Sequence, residues 1–152
     1  MNLYLKDFII PTENNDSTLS VLSAVSAIKD GDTLYLGGGT LHFYPEFAES
    51  AEYFVPNNDW SRKPIAFIIK NKENITIDGE GAKLIFHGRM SPFVLDSSEN
   101  ITLKNFSIDY AEPMYFEGKI VDAGENFVEM EYNDERILSF MMEQLKEKGM
   151  IR

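Results

Sequence analysis

The sequence predicts an all-β solenoid of the β-helix type, with a helix at each end. Three observations predict it: a repeat of 26 residues, alternating apolar and polar positions within the repeat, and an amphipathic helical segment before the first strand. A unit this short cannot bury its inner face alone, so it stacks on its copies. The length of 152 residues predicts that everything belongs to a single domain, residues 1–152.

The repeat aligns residues 67–77 with residues 93–103 without a gap. Five of the eleven positions are identical and three are conservative apolar exchanges. Each copy contains strand and turn patterns without helical spacing, which favours a β-helix over helical repeats. Asn74 and Asn100 occupy the same turn position, where asparagine tolerates a left-handed backbone and can stack its amide on the next copy.

The elements follow in chain order from these patterns. Residues 12–31 predict an amphipathic helix, because apolar residues recur at helical spacing before Gly31. Residues 32–110 predict three to four coils, with 44–63 as a long surface loop. Residues 111–133 predict a hairpin, and residues 134–152 predict a C-terminal helix. The inward-facing positions of the coils are predicted to be Ile75, Ile77, Ile101, Leu103, Phe106 and Ile108.

Composition limits the function classes. Fourteen Lys and Arg against twenty-five Asp and Glu give a net charge of −11, so nucleic acid and anionic membranes are not expected as partners. The absence of cysteine excludes disulfides, thiolate zinc sites and thiol nucleophiles. No apolar run reaches the length of a membrane span, and the N-terminus lacks a signal peptide pattern, so export would require a leader absent from this chain.

Two sets of sequence strings carry a resemblance. The first part of the chain, in the segments 16–18, 31–36 and 38–43, resembles the opening of pectate-lyase-like right-handed parallel β-helix proteins. More narrowly, the chain resembles bacterial α-1,3-galactosidases on that fold in the segments 53–59, 63–67, 75–81, 86–93 and 105–110. The most specific of these strings are Phe-His-Gly-Arg-Met at 86–90 and Asn-Phe-Ser-Ile-Asp-Tyr at 105–110. The resemblance covers residues 12 to about 132.

The resemblance implies a short right-handed parallel β-helix in which residues 12–31 form the capping helix. It also implies an exported bacterial enzyme that removes terminal α-linked galactose by an inverting, metal-independent route. Such enzymes are several times longer, and the resemblance places their catalytic carboxylates on coils beyond this chain. We therefore expect an α-galactosidase-like glycoside hydrolase or an N-terminal fragment of one, inactive alone. The alternative is a non-catalytic carbohydrate-binding or structural module. A pectate-lyase-type enzyme would need a calcium cluster and a basic groove, which the charge disfavours.

The repeat does not contain a carboxylate pair that could act as acid and base. An inverting glycosidase needs two carboxyl groups about 6.5 to 9.5 Å apart. The repeat instead places Asp78 over Lys104 and Asp96 over Lys70, so that opposite charges stack on a solvated face. The catalytic residues therefore stay unassigned.

One cluster is a candidate for sugar binding. The repeat register places Asp109 beside Ile85 and diagonal to His87, and Arg89 follows two residues later. A guanidinium fork and an imidazole suit sugar hydroxyls. The loop residues predicted to fold over the same face are Asn58, Asp59 and Trp60, with Trp60 as a stacking platform.

The remaining predictions concern metals and partners. His42 has no second imidazole nearby in sequence, so neither a metal nor a cofactor is expected. The expected partners are a glycan and, through the open solenoid end or the C-terminal helix, a second copy of the chain.

Overall fold

A computed structural model describes residues 1–54, 62–112 and 118–131, and these residues contain one α-helix and ten strands. The helix is α1 (Thr18–Ala27). The strands are β1 (Asn2–Tyr4), β2 (Thr33–Tyr35), β3 (Thr40–Phe43), β4 (Glu49–Glu52), β5 (Arg62–Lys70), β6 (Thr76–Phe86), β7 (Ser91–Asp96), β8 (Thr102–Tyr110), β9 (Lys119–Ala123) and β10 (Val128–Glu131). The chain divides into two compact units, Met1–Ala111 and Glu112–Arg152.

The first unit contains a five-stranded parallel sheet built around the long strand β6. The two short strands β2 and β3 pair with successive halves of β6, and β8 pairs with β6 along its other edge. The sequence predicts β2 and β3 as two strands around a tight turn, and Gly37–39 does connect them with three positive φ angles. The two strands nevertheless share β6 as their partner and lie end to end along it.

A second sheet in the same unit has the order β4-β5-β7. β5 and β7 are parallel, whereas β4 runs antiparallel to β5. The 26-residue repeat is confirmed as a pairing register, because Phe67 pairs with Phe93 in this sheet and Ile77 pairs with Leu103 in the first. β4 lies inside the range that the sequence predicts as a loop.

The predicted all-β solenoid, a short right-handed parallel β-helix with a helix at each end, is wrong for the described residues. They form separate sheets with mixed strand directions, in which β4 reverses against β5 and β9 against β10. The repeat misled the prediction because, among the described residues, the repeated sequence pairs only in β5–β7 and β6–β8 and is not continued into further coils. The predicted C-terminal helix, 134–152, lies outside the described residues.

The two ladders that the repeat predicts are confirmed. Asn100 Nδ2 donates a hydrogen bond to Asn74 Oδ1 at 2.6 Å, and both residues have left-handed φ angles, 53° and 55°. Opposite charges pair as expected, Lys70 Nζ with Asp96 Oδ2 at 3.1 Å. The Nζ atom of Lys104 lies 3.3 Å from Asp78 Oδ2.

The core lies between the two sheets of the first unit and α1. Its largest fully buried side chains are Phe43, Phe67, Phe86, Ile28, Leu34, Ile65, Ile69, Ile75, Ile77 and Leu84. α1 begins where Asp16 Oδ1 accepts the Thr18 N–H at 2.8 Å, an interaction that satisfies a free donor at the helix start. Ile108, predicted to face inward, is 46% exposed because β8 has a described neighbour on one side only. Among the described residues, no helix is long and apolar enough to cross a membrane.

The described part of the second unit is an antiparallel hairpin. β9 and β10 pair with a bulge between Glu129 and Met130, at the place where the sequence predicts a hairpin. Its apolar residues Ile120, Val121 and Phe127 are more than half exposed.

Candidate functional site

Three rings form a cluster at the ends of β3 and β6, and we call His42, Tyr44 and His87 the imidazole cluster. The Nδ1 atom of His42 lies 3.0 Å from the Nε2 atom of His87. The ring of His87 also stacks on Tyr44, with centroids 4.0 Å apart and an interplanar angle of 9°. All three residues are partly buried. The rings therefore hold one another in a fixed arrangement that still reaches solvent.

The strand register explains why these rings meet. Phe43 pairs with Phe86, and their buried rings stack at 4.9 Å on the inner face of the sheet. The next residues on each strand point to the opposite face. The His87 N–H donates to the Phe43 carbonyl at 2.9 Å, which aligns Tyr44 with His87. Burial of the phenylalanine pair thus sets the positions of the polar rings.

The turn after β6 is held from two sides. Gly88 has a φ of +62°, and a Cβ at this position would lie 3.4 Å from Pro45 Cγ. The Tyr110 hydroxyl donates to the Met90 carbonyl at 3.0 Å, and burial raises the pKa of that hydroxyl. Arg89 lies on this turn and is exposed. The guanidinium is therefore carried on a fixed backbone.

Asp109 lies one strand further on, at the predicted position. It pairs with Ile85 in the register of β6 and β8. Its Oδ1 atom accepts the Tyr110 N–H at 2.9 Å, and its Oδ2 atom lies 3.9 Å from Lys83 Nζ. Because both side chains of the ion pair are about half exposed, the pair contributes little to stability.

The structure thus places His87 and Asp109 on neighbouring strand ends and Arg89 on the adjoining turn. The other predicted site residues, Asn58, Asp59 and Trp60, lie outside the described residues. Whether any of the six binds a sugar stays a prediction.

Sequence reasoning missed His42. No second imidazole lies near His42 in sequence, but the fold brings His87 to His42 from 45 residues away. One signal could have found the contact: Leu41 and Phe43 share their spacing with Leu84 and Phe86, and this spacing aligns β3 with β6.

The chemistry of the imidazole cluster is hydrogen bonding. At 3.0 Å one imidazole nitrogen donates to the other, so at least one of the two rings must be neutral. Which ring donates depends on the tautomer. Among the described residues, no group of three or more His, Cys, Asp or Glu side chains is placed to hold a metal ion.

The ion pairs Lys104–Asp78 and Lys70–Asp96 form two charged columns, and their carboxylates are unsuited to general-acid catalysis. Hydrogen bonds from the Glu80 N–H and the Asn105 amide lower the pKa of Asp78, and a hydrogen bond from Lys70 lowers the pKa of Asp96. A general acid in a glycosidase requires the opposite, a raised pKa.

The register also reveals a carboxylate pair that the sequence reasoning overlooked. Glu73 pairs with Glu99 in an isolated parallel bridge. Both residues are exposed, and their backbone groups form the turns between strands, where the Glu99 N–H donates to the Lys72 carbonyl at 3.0 Å. A catalytic carboxyl pair needs one member in a desolvated site, which this turn does not provide.

The comparisons with known proteins agree with the sequence strings. The chain is 42% identical over 106 residues to a protein of Phocaeicola vulgatus named alpha-1,3-galactosidase B, a match that covers 69% of this chain and 18% of that protein. It is 34% identical over 128 residues to alpha-1,3-galactosidase A of Shewanella woodyi, which covers 82% of this chain and 21% of that protein. No family model matches the chain.

These matches define the class of protein as a relative of glycoside hydrolases. The chain is similar to part of several bacterial proteins named alpha-1,3-galactosidase, as the resemblance predicted. It spans about a fifth of the length of the curated relatives that it matches.

Proposed function

We propose that this chain binds glycans that end in α-linked galactose and does not hydrolyse them on its own. The imidazole cluster is the observation that carries the proposal, together with Asp109 in register with Ile85 and Arg89 two residues after His87. The names of the relatives supply the sugar, since they are called alpha-1,3-galactosidases.

The polar groups around the cluster match the chemistry of a sugar. A hexose presents several hydroxyls that each donate and accept, together with an apolar face that packs on aromatic rings. Asp109 and Lys83 supply an acceptor and a donor, and Arg89 supplies a planar fork of donors. Because the stacked rings of Tyr44 and His87 are already fixed at 4.0 Å, little side-chain entropy is lost when a ligand packs on them.

The proposed absence of hydrolysis rests on five carboxylates of the described residues. The columns pair Asp78 and Asp96 with lysines, and Glu73 and Glu99 lie in exposed turns. Asp109 has a lysine partner at 3.9 Å. None of these arrangements combines a desolvated acid with a second carboxylate that activates water.

Calorimetric titration of the whole chain with galactose-α-1,3-galactose tests the proposal. Arg89→Ala should weaken binding about tenfold, which corresponds to the loss of a charged hydrogen bond. Its melting temperature should stay nearly unchanged because Arg89 is exposed. Lys119→Ala, on the exposed hairpin, is the matched control and should bind like the parent. Equal affinity of the parent and Arg89→Ala would contradict the proposal.

We also propose that a second copy of the chain covers the exposed edge of β7 and β8. Leu95 and Ile108 are 50% and 46% exposed there, and apolar residues on an edge strand favour association. Light scattering should give a mass that rises with concentration, and Leu95→Lys should lower it. A monomer mass at every concentration would contradict the association.

A further inference from the structure

A cleft on the N-terminal strands lies apart from the imidazole cluster and has no role in the proposal above. Its volume is about 410 Å³, and its lining includes Tyr4, Lys6, Tyr35, Leu36, Leu41 and Glu80. None of its lining residues belongs to the imidazole cluster. The cleft is thus a separate concave surface, within the range of 300–1,000 Å³ typical of small-molecule sites.

One wall of the cleft is a pair of stacked tyrosines. The parallel register of β1 and β2 pairs Tyr4 with Tyr35, and their rings stack with centroids 5.3 Å apart at 19°. Lys6 Nζ lies 5.3 Å from the centroid of the Tyr4 ring. Two phenols and an ammonium group are therefore placed together by strand pairing and ring contacts.

The opposite wall is fixed by backbone contacts around Glu80. The Glu80 N–H donates to Asp78 Oδ1 at 3.0 Å, which holds Glu80 at a φ of +51°. Gly38 comes so close that a Cβ on it would lie 3.1 Å from the Glu80 carbonyl oxygen. The glycine turn thus packs directly on Glu80, and the carboxylate extends from a constrained backbone.

We propose that this cleft binds a pyranose ring of a neutral glycan. Leu41 provides apolar surface for the C–H face of the ring, and Glu80 accepts hydrogen bonds from two neighbouring hydroxyls. The phenols and Lys6 act as donors to the remaining oxygens. An anionic ligand is disfavoured by the net charge of −11 and by Glu80 itself. The inference rests on the proposed function, since that proposal supplies the class of ligand.

Amide chemical shifts of the whole chain, titrated with galactose-α-1,3-galactose, test the inference. We expect shifts at Gly37, Leu41 and Glu80. Glu80→Gln should weaken the affinity at these signals about fivefold, because it replaces a charged acceptor by a neutral one. Tyr35→Phe, which keeps the ring stack and removes one hydroxyl, should weaken it by a similar factor. Glu52→Gln, an exposed carboxylate on the second sheet, is the matched control and should bind like the parent.

The outcomes separate the two proposals. Shifts at His42 and His87 with no shift at Gly37 or Glu80 would overturn the cleft and leave the proposed function intact. Shifts in the cleft alone would support the cleft and contradict binding at the imidazole cluster. Shifts at neither place would overturn both. Cleft shifts that Glu80→Gln leaves at full affinity would contradict the role given to the carboxylate.

Discussion

The two copies of the repeat have the same pairing register and different surroundings. In the first copy Ile69 is fully buried, whereas its partner in the second, Leu95, is 50% exposed. The same difference continues beyond the repeat, where Leu84 is fully buried and its partner Ile108 is 46% exposed. β5 and β6 have paired strands on both sides, while β7 and β8 have a described neighbour on one side only. The comparison shows that a repeated sequence specifies which residues pair, and that the position in the sheet decides how much each contributes to stability.

The largest loss of stability is expected at Ile69, which can be compared directly with its register partner Leu95. Ile69→Ala should lower the free energy of unfolding by about 2–5 kcal/mol, since it leaves a cavity in the core. Leu95→Ala, its partner in the register, should cost about 1 kcal/mol or less because half of that side chain is already exposed. Urea unfolding of both variants, at a concentration where the chain is a monomer, measures the difference. Equal losses would mean that Leu95 is buried in solution.

A second prediction concerns the close contact between β6 and β8 at the bulge in β6. A Cβ on Gly79 would lie 2.5 Å from the Asn105 carbonyl oxygen and 2.6 Å from Phe106 Cβ. Gly79→Ala should therefore separate β6 from β8 and cost about 1–3 kcal/mol.

Gly31→Ala is the control for Gly79→Ala in the same urea experiment. It has open space around it but a φ of +82°, so its cost is backbone strain of about 1 kcal/mol. A Gly79 variant as stable as the parent would show that the strands are less closely packed than the structure indicates.

The asparagine ladder should give a smaller effect. Asn100→Ala removes the 2.6 Å amide contact with Asn74 and places alanine at a φ of 53°, for a cost of about 1 kcal/mol. Asn100→Gly relieves the backbone strain and should recover part of the loss. Thermal unfolding separates the amide contact from the backbone strain. If Asn100→Gly is no more stable than Asn100→Ala, the stabilisation by Asn100 comes from the amide contact and not from its backbone conformation.

The smallest change in stability is expected at Asp78, in the ion pair with Lys104, and it depends on pH. The folded-state pKa of Asp78 lies below its ordinary value of about 3.9 because the Glu80 N–H and Asn105 donate to it. Its stabilisation is therefore complete above about pH 5 and is lost progressively as the pH falls through the unfolded-state value toward the lowered pKa. Asp78→Asn should be less stable than the parent at pH 7, and the difference should shrink at pH 3. A difference independent of pH would rule out the charge as its cause.

The sequence predicted the pairs that repeat and missed those that do not. The Asn74–Asn100 and Lys70–Asp96 contacts follow from identical spacing in two copies, so an alignment of the chain with itself finds them. The architecture could not be obtained in this way, because the antiparallel edge strand β4 carries no copy of the motif. His42 and His87 were not connected for the same reason: the pairs that bring them together, Leu41–Leu84 and Phe43–Phe86, lie outside the repeat.

We propose that the described residues form a glycan-binding face and contain no hydrolytic carboxylate pair. Proton NMR of one sample, the whole chain with galactose-α-1,3-galactose, reports both parts of the claim. We predict that the ring signals of His42 and His87 shift while the disaccharide stays intact. Ring signals that do not move, or free galactose that accumulates with the parent and not with Asp109→Asn, would contradict it.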